Sequence, residues 1–128
     1  MIRPPLPLLA ASALAAAALS LLSCAAAQPA GDAARGERLY EAQCSACHSI
    51  DVNRIGPAHR GVVGRRSGAA PGFRYSPALQ RLNVVWTSEN LDRWLTDPAA
   101  MAPGTAMGVS VPAQQDRADI IAYLGTQR

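Results

Sequence analysis

Five consecutive residues constrain this 128-residue chain more than any other feature: Cys44-Ser45-Ala46-Cys47-His48. The only other cysteine, Cys24, lies near the N-terminus, so two thiols and an adjacent imidazole must be explained together. Three chemistries use such a pair. A thioredoxin-like redox site sets it ahead of a helix in a strand–helix pattern, and no buried strand precedes it here. A structural zinc site needs four ligands, and beyond this cluster only His59 is available. Covalent haem attachment uses all three residues as they stand: two thiols add to two vinyl groups, and the histidine reaches the iron. The bland reading is a chance disulfide beside an unrelated histidine. Composition favours the haem. One Phe, two Trp and three Tyr make a thin core, so a cofactor is expected to fill it.

Much of the 49% apolar content sits at the N-terminus, ahead of the folded part. From Pro4 to Ala30 no side chain is charged, and Ala and Leu dominate. Arg3 and the amino terminus form a weak positive region, and Leu6 to Ala18 form the apolar stretch of an export signal. Ala25-Ala26-Ala27 fits ordinary cleavage, making 1–27 a signal peptide; Leu21-Leu22-Ser23-Cys24 also fits a lipobox, with Cys24 lipidated. A third reading keeps the segment as an uncleaved anchor, which Pro4, Pro5 and Pro7 weaken by shortening its helix. In each case the domain of residues 28–128 is exported, and the bacterial periplasm is the expected location. Loss of Arg3 lowers the formal charge of +3 by one, and every cation is Arg. This modest charge, without a basic patch or arm, excludes a nucleic-acid binder, and the helical apolar spacing excludes disorder.

An iron ligated by His48 needs a partner on its other face. The candidates are Met101, Met107 and His59. Met107 stands in Pro103-Gly104-Thr105-Ala106-Met107-Gly108, a loop able to hold a side chain against a flat ligand. Met101 follows Pro98-Ala99-Ala100 at a frayed helix end, and His59 lies too near His48 to cross a ring easily. Met107 is therefore the expected ligand, and His59 a surface or packing histidine.

These motifs together resemble the class I cytochrome c family, which includes mitochondrial cytochrome c and its bacterial soluble and membrane-attached relatives. The resemblance runs from Gly36 and Tyr40 through Cys44-x-x-Cys47-His48, Gly56-Pro57, Gly64-Arg65 and Ala70-Pro71-Gly72-Phe73-Arg74-Tyr75. It continues through Trp86, Asp97-Pro98, the Met107 loop and Arg117-Ala118-Asp119-Ile120-Ile121-Ala122-Tyr123-Leu124. It implies an all-α fold of three main helices with long loops wrapped around one haem c, attached through thioether links at Cys44 and Cys47. His48 and Met107 would be the axial ligands, the weak thioether donor favouring ferrous iron. The Pro57 carbonyl would orient His48. Arg65, Tyr75 and Trp86 match positions that hold a buried propionate, and Trp94 replaces a tyrosine that reaches the axial sulfur. Without the resemblance, Arg65 and Arg66 read as a solvated pair. Leu79 replaces an asparagine of the same network, and His59 occupies a position that is usually leucine.

The helical pattern agrees with this. A first helix is expected over Asp32–Cys44, a second over Ser88–Asp97 and a third over Gln114–Gln127, with turn-rich chain from Ser49 to Val85. In the family the first and last helices cross, Gly36 meeting the Ile120 and Tyr123 face. The haem edge, lined by Gln43, Ala99, Ala100 and Ala106 where mitochondrial proteins carry lysines, is expected to be neutral, so redox partners would dock with little dependence on salt. The expected function is one-electron transfer between respiratory or dehydrogenase partners, by a monomer and not an enzyme. The alternative is a haem enzyme or gas sensor whose axial methionine yields to a small ligand. It lacks an acid or base on the Met107 loop.

Overall fold

The structure is a computed structural model, and it describes Met1 and residues 27–128. Cys24 and the apolar leader run therefore lie outside the described residues. Among the described residues five helices follow in order: α1 (Ala33–Gln43), α2 (Pro77–Leu82), α3 (Ser88–Thr96), α4 (Pro98–Met101) and α5 (Gln114–Thr126). The three expected helices are present with each boundary within one residue. Asp32 is the N-cap of α1, its carboxylate accepting from the Ala34 and Arg35 N–H groups, and Thr87 caps α3 through the Asn90 N–H. Asp97 ends α3 and caps α4, where Pro98 takes the first helical position and has no N–H to satisfy.

Helix α2 was not anticipated in the turn-rich middle of the chain. Its signals are local: Ser76 accepts from the Leu79 N–H, Pro77 opens the helix, and Asn83 closes it at φ 50°, in the left-handed region. The expected absence of sheet holds among the described residues, where one isolated antiparallel bridge joins Arg66 to Val85. The bridged segments are laced by Ser67 N–H to Val84 O (2.7 Å), Trp86 N–H to Arg65 O (2.8 Å) and Gly64 N–H to Trp86 O (2.9 Å).

Helices α1 and α5 cross in close contact. Gly36 makes this approach feasible: a Cβ there would overlap the Asp119 carbonyl and the Tyr123 Cβ. The crossing face is thus Asp119 and Tyr123, while Ile120 turns inward. Asp119, 1% exposed, accepts from the Asp32 N–H (2.8 Å) and the Gln115 amide (2.9 Å) and pairs with Arg35, which also reaches Asp116 at 2.6 Å. The core comprises Tyr40, Val62, Leu79, Trp86, Leu91, Trp94, Leu95, Val111, Ile120, Ile121 and Leu124, with alanines between them. Those side chains do not close on one another. Apart from Tyr40, Ile121 and the alanines, they line a cavity of about 370 Å³.

Candidate functional site

The end of α1 delivers the cysteine motif to the cavity wall. The Cys44 N–H donates to Tyr40 O at 2.8 Å as the helix closes, and the Cys47 and His48 N–H groups both donate to Cys44 O, at 3.1 and 2.9 Å. This tight turn places Cys44, Cys47 and His48 together along the cavity. Both thiols are free and half-buried. Burial, and secondarily the neighbouring Cys47, pushes the Cys44 thiol up to about 11. A disulfide-exchange site needs a depressed thiol, so the structure weighs against that chemistry.

His48 is oriented by the turn that follows. Its Nδ1 lies 2.8 Å from the Pro57 carbonyl, and a carbonyl only accepts, so Nδ1 carries the proton and Nε2 is left as a donor atom for a metal. Gly56 is held by its N–H on Cys47 O (2.8 Å), and its carbonyl accepts from the Arg54 N–H (2.9 Å). A Cβ on Gly56 would overlap the His48 ring at Cε1, Nδ1 and Nε2. Burial lowers the His48 pKa against the opposing bond to Pro57, and this net lowering favours the neutral, metal-binding imidazole.

Met107 also lines the cavity, with Thr105, Ala106, Gly108 and Val109 beside it. Gly104 turns this segment at φ 90°, in the left-handed region, and the Met107 N–H reaches Thr105 Oγ1 at 3.3 Å. Met101 is not among the cavity-lining residues. It ends α4 and packs against the core from outside. Of the two readings of His59, packing holds: its ring stacks on His48 with centroids 4.1 Å apart.

The residues expected at a propionate also face the cavity. Arg65 donates through Nη1 to Arg60 O and through Nη2 to Ala58 O, both at 3.0 Å, while its Nε is buried with no partner. It is not the solvated residue that local sequence suggests, whereas Arg66 is exposed and reaches Asn83. The Tyr75 hydroxyl accepts from the Ala70 N–H at 3.0 Å and keeps its own proton to donate. Trp86 and Trp94 line the wall with ring centroids 5.4 Å apart, and Leu79 adds an apolar surface beside them.

An apolar cavity of this size falls within the range of small-molecule and cofactor sites. The two thiols, the histidine with a free Nε2, the methionine sulfur and the orphaned Arg65 Nε are the donor set that a haem with a buried carboxylate requires. The residues present fit that group.

Comparison with known proteins agrees with the donor set. The family model for cytochrome c matches residues 33–128. The chain belongs to the cytochrome c family. It is 46% identical over 99 residues to a cytochrome c of Euglena viridis, covering 75% of this chain and 97% of that protein. Against a cytochrome c2 of Rhodomicrobium vannielii the identity is 40% over 112 residues, covering 84% and 89%. Cytochrome cH from Methylobacterium extorquens has a similar structure, with a TM-score of 0.72 and 41% identity over 75% of this chain and 99% of that one. This cytochrome is therefore a haem-binding electron-transfer protein serving redox partners, and not an enzyme. The sensor alternative finds no support in these comparisons.

Three features of the cytochrome's site escaped the sequence. Arg117, buried in α5, donates through Nε to Asp92 of α3 at 2.7 Å. Through Nη1 it donates to the Val111 and Pro112 carbonyls at 2.9 and 2.8 Å. It thereby ties the loop after Met107 to two helices. Tyr40 joins His59 through a 2.9 Å hydrogen bond. At the cavity mouth, Ile55 and Val109 are 78% and 48% exposed beside exposed Gln43 and Ala106, while Ala99 and Ala100 are exposed on α4, outside the lining. The side-chain partners of Arg117 and Tyr40 depend on tertiary packing. A periodicity analysis can only mark such residues as polar groups on an otherwise apolar face.

Proposed function

We propose that this cytochrome would hold one haem through thioether bonds at Cys44 and Cys47, with His48 and Met107 supplying the ligands to its iron. The observation that carries the reading is a single apolar cavity lined by the Cys44–His48 turn and by the Met107 loop. Bound there, haem supplies a reversible one-electron iron couple. The chain's residues do the rest. Pro57 fixes the His48 tautomer, leaving Nε2 toward the metal, and Met107 offers a weak thioether donor that favours the reduced state. Arg65, with its free Nε, and Tyr75, with its free hydroxyl proton, neutralise and hydrogen-bond a propionate that burial would otherwise penalise. Leu79, Leu91, Leu95, Trp94, Ile120 and Leu124 exclude water, so little solvent reorganises when charge changes.

Partners dock at the mouth formed by Gln43, Ile55, Ala106 and Val109, a neutral and largely apolar rim. The second-order electron-transfer rate then varies little between low and high salt, and a steep fall with salt would refute this docking mode. The leader exports the domain to a bacterial periplasm, by cleavage after Ala27, lipidation at Cys24 or retention as an anchor. Among the described residues no helix is long and apolar enough to cross a membrane.

The deciding experiment is an optical spectrum of protein co-expressed with a haem-attachment system, recorded oxidised, reduced, and reduced under carbon monoxide. A low-spin reduced spectrum, a weak far-red methionine–iron band and no response to carbon monoxide are expected. A Met107→Ala variant gains carbon monoxide binding. A high-spin or carbon monoxide-sensitive spectrum in the parent protein removes Met107 from the ligand set.

A further inference from the structure

His48 is confined on three sides. Pro57 accepts from its Nδ1–H at 2.8 Å, the backbone of Gly56 presses on the ring, and the imidazole of His59 lies over its face. The two rings are 4.1 Å apart between centroids and 20° from parallel. Pro57 and Gly56 come from one turn. His59 is a different kind of wall, because it is aromatic and is itself held. Its Nδ1 shares a 2.9 Å hydrogen bond with the Tyr40 hydroxyl, and Tyr40 is buried in α1 with its ring at 69° to His59. Tyr40 is braced in turn by Tyr123 of α5, with centroids 5.4 Å apart. Neither Tyr40 nor His59 has an assigned task in holding or attaching the cofactor.

An aliphatic side chain at position 59 would supply the same bulk, but neither a π face nor a hydrogen bond that fixes its rotation. We propose that His59 is a positioning residue for His48: the Tyr40 hydroxyl fixes the His59 ring, and that stacked ring sets the rotation of the His48 plane and lowers the reduction potential of the centre. The proposal rests on the reading of His48 as an axial ligand. The sign follows from charge. An imidazole bound to ferric iron carries more positive charge than one bound to ferrous iron, and a π face set against a cationic group stabilises it. His59 therefore favours the oxidised state relative to an aliphatic residue.

The test uses the haem-loaded full chain and three variants: His59→Leu, which removes stack and bond; His59→Phe, which keeps a ring; and Tyr40→Phe, which removes one oxygen. The readouts are the midpoint potential and the pattern of paramagnetically shifted haem methyl signals in the oxidised proton spectrum, which reports the orientation of the axial ligand plane. His59→Leu is expected to raise the reduced-to-oxidised ratio at fixed ambient potential by about three- to tenfold, or roughly 30–60 mV for one electron. It should also rearrange the methyl pattern. His59→Phe recovers more than half of the potential shift. Tyr40→Phe moves both readouts in the same direction but less, and the double variant with His59→Leu equals His59→Leu alone, because both act through one ring. Unchanged potential and methyl pattern in folded His59→Leu, or additive effects in the double variant, overturn the proposal. If His59→Leu fails to load haem, Tyr40→Phe decides: a shifted methyl pattern supports the proposal and an unchanged one overturns it. A parent spectrum that is high-spin fails at the ligand assignment itself and takes the proposal with it, an outcome distinct from inert variants in a low-spin protein.

Discussion

Gly36→Ala is the substitution for which local and tertiary reasoning predict opposite signs. Within a helix such as α1, alanine is better than glycine by about 1 kcal/mol. The structure reverses that gain. The new Cβ would overlap the Asp119 carbonyl, a backbone atom of α5 that no rotamer change can move, and the Tyr123 Cβ. Helix α1 must back away from α5, and overpacking of this kind costs about 1–3 kcal/mol. The retreat also stretches the 2.8 Å bond from the Asp32 N–H to Asp119, a loss of about 1 kcal/mol. Subtracting the helix-propensity gain leaves a net destabilisation of about 1–3 kcal/mol. For a domain of this size that lowers the midpoint of thermal unfolding by about 5–20 °C. Gly125 in α5 is the internal control. Nothing lies within 4 Å of a Cβ built there, so Gly125→Ala should be neutral or stabilise by about 0.5 kcal/mol. Thermal and guanidinium unfolding of the two holoproteins, followed by far-ultraviolet circular dichroism, measures both. A Gly36→Ala protein as stable as the parent would refute the claim that the helix crossing has no room for a methyl group.

Asp119 is held below the usual carboxylate range, first by the Asp32 N–H and then by Gln115 and Arg35 against the cost of burial. Its stabilisation is present above the ordinary carboxylate pKa of about 3.9 and is lost as pH falls through the lower folded value. Asp119→Asn should therefore flatten the acid limb of stability against pH, and an unchanged acid-unfolding profile counts against this role. Replacement of Arg117 by Lys cannot reproduce the fork to Asp92, Val111 and Pro112. The charge facing Asp92 is kept but one or two of the hydrogen bonds are lost, so it should lower stability by about 1–2 kcal/mol and admit carbon monoxide to the reduced protein. Gly56→Ala places a methyl group against the His48 ring, so haem absorbance per unit of protein should fall severalfold on co-expression with an attachment system.

Residues whose chemistry is local were legible in the sequence. The Cys44–His48 motif and the stripe of Ile120, Ile121 and Leu124 each carry their signal within a few residues. Met107 was distinguishable from Met101 because the Pro103–Gly108 punctuation marks a loop. Helix α2 was missed because six residues present less than two turns of apolar period, although Ser76, Pro77 and Asn83 spell out both of its ends. Arg65 shows the limit in the other direction. Without the family resemblance it reads beside Arg66 as a surface charge, and in the fold it is the carbonyls of Ala58 and Arg60 that hold it at the cavity. His59 was legible as an oddity, but its partners Tyr40 and His48 are brought to it by a helix end and a turn that the linear spacing does not connect.

The paired indoles on the cavity wall have a practical consequence. Trp86 and Trp94 are the only two tryptophans in the chain, and both line the cavity proposed to hold the haem. A porphyrin at that range drains indole excitation before it can be emitted, so the folded, loaded protein should be nearly dark. Unfolding lets both indoles drift from a pigment that stays tethered near α1, and the emission returns. A single unlabelled fluorescence trace thus separates folded holoprotein from protein that is unfolded or never received its pigment, at concentrations far below those that absorbance requires.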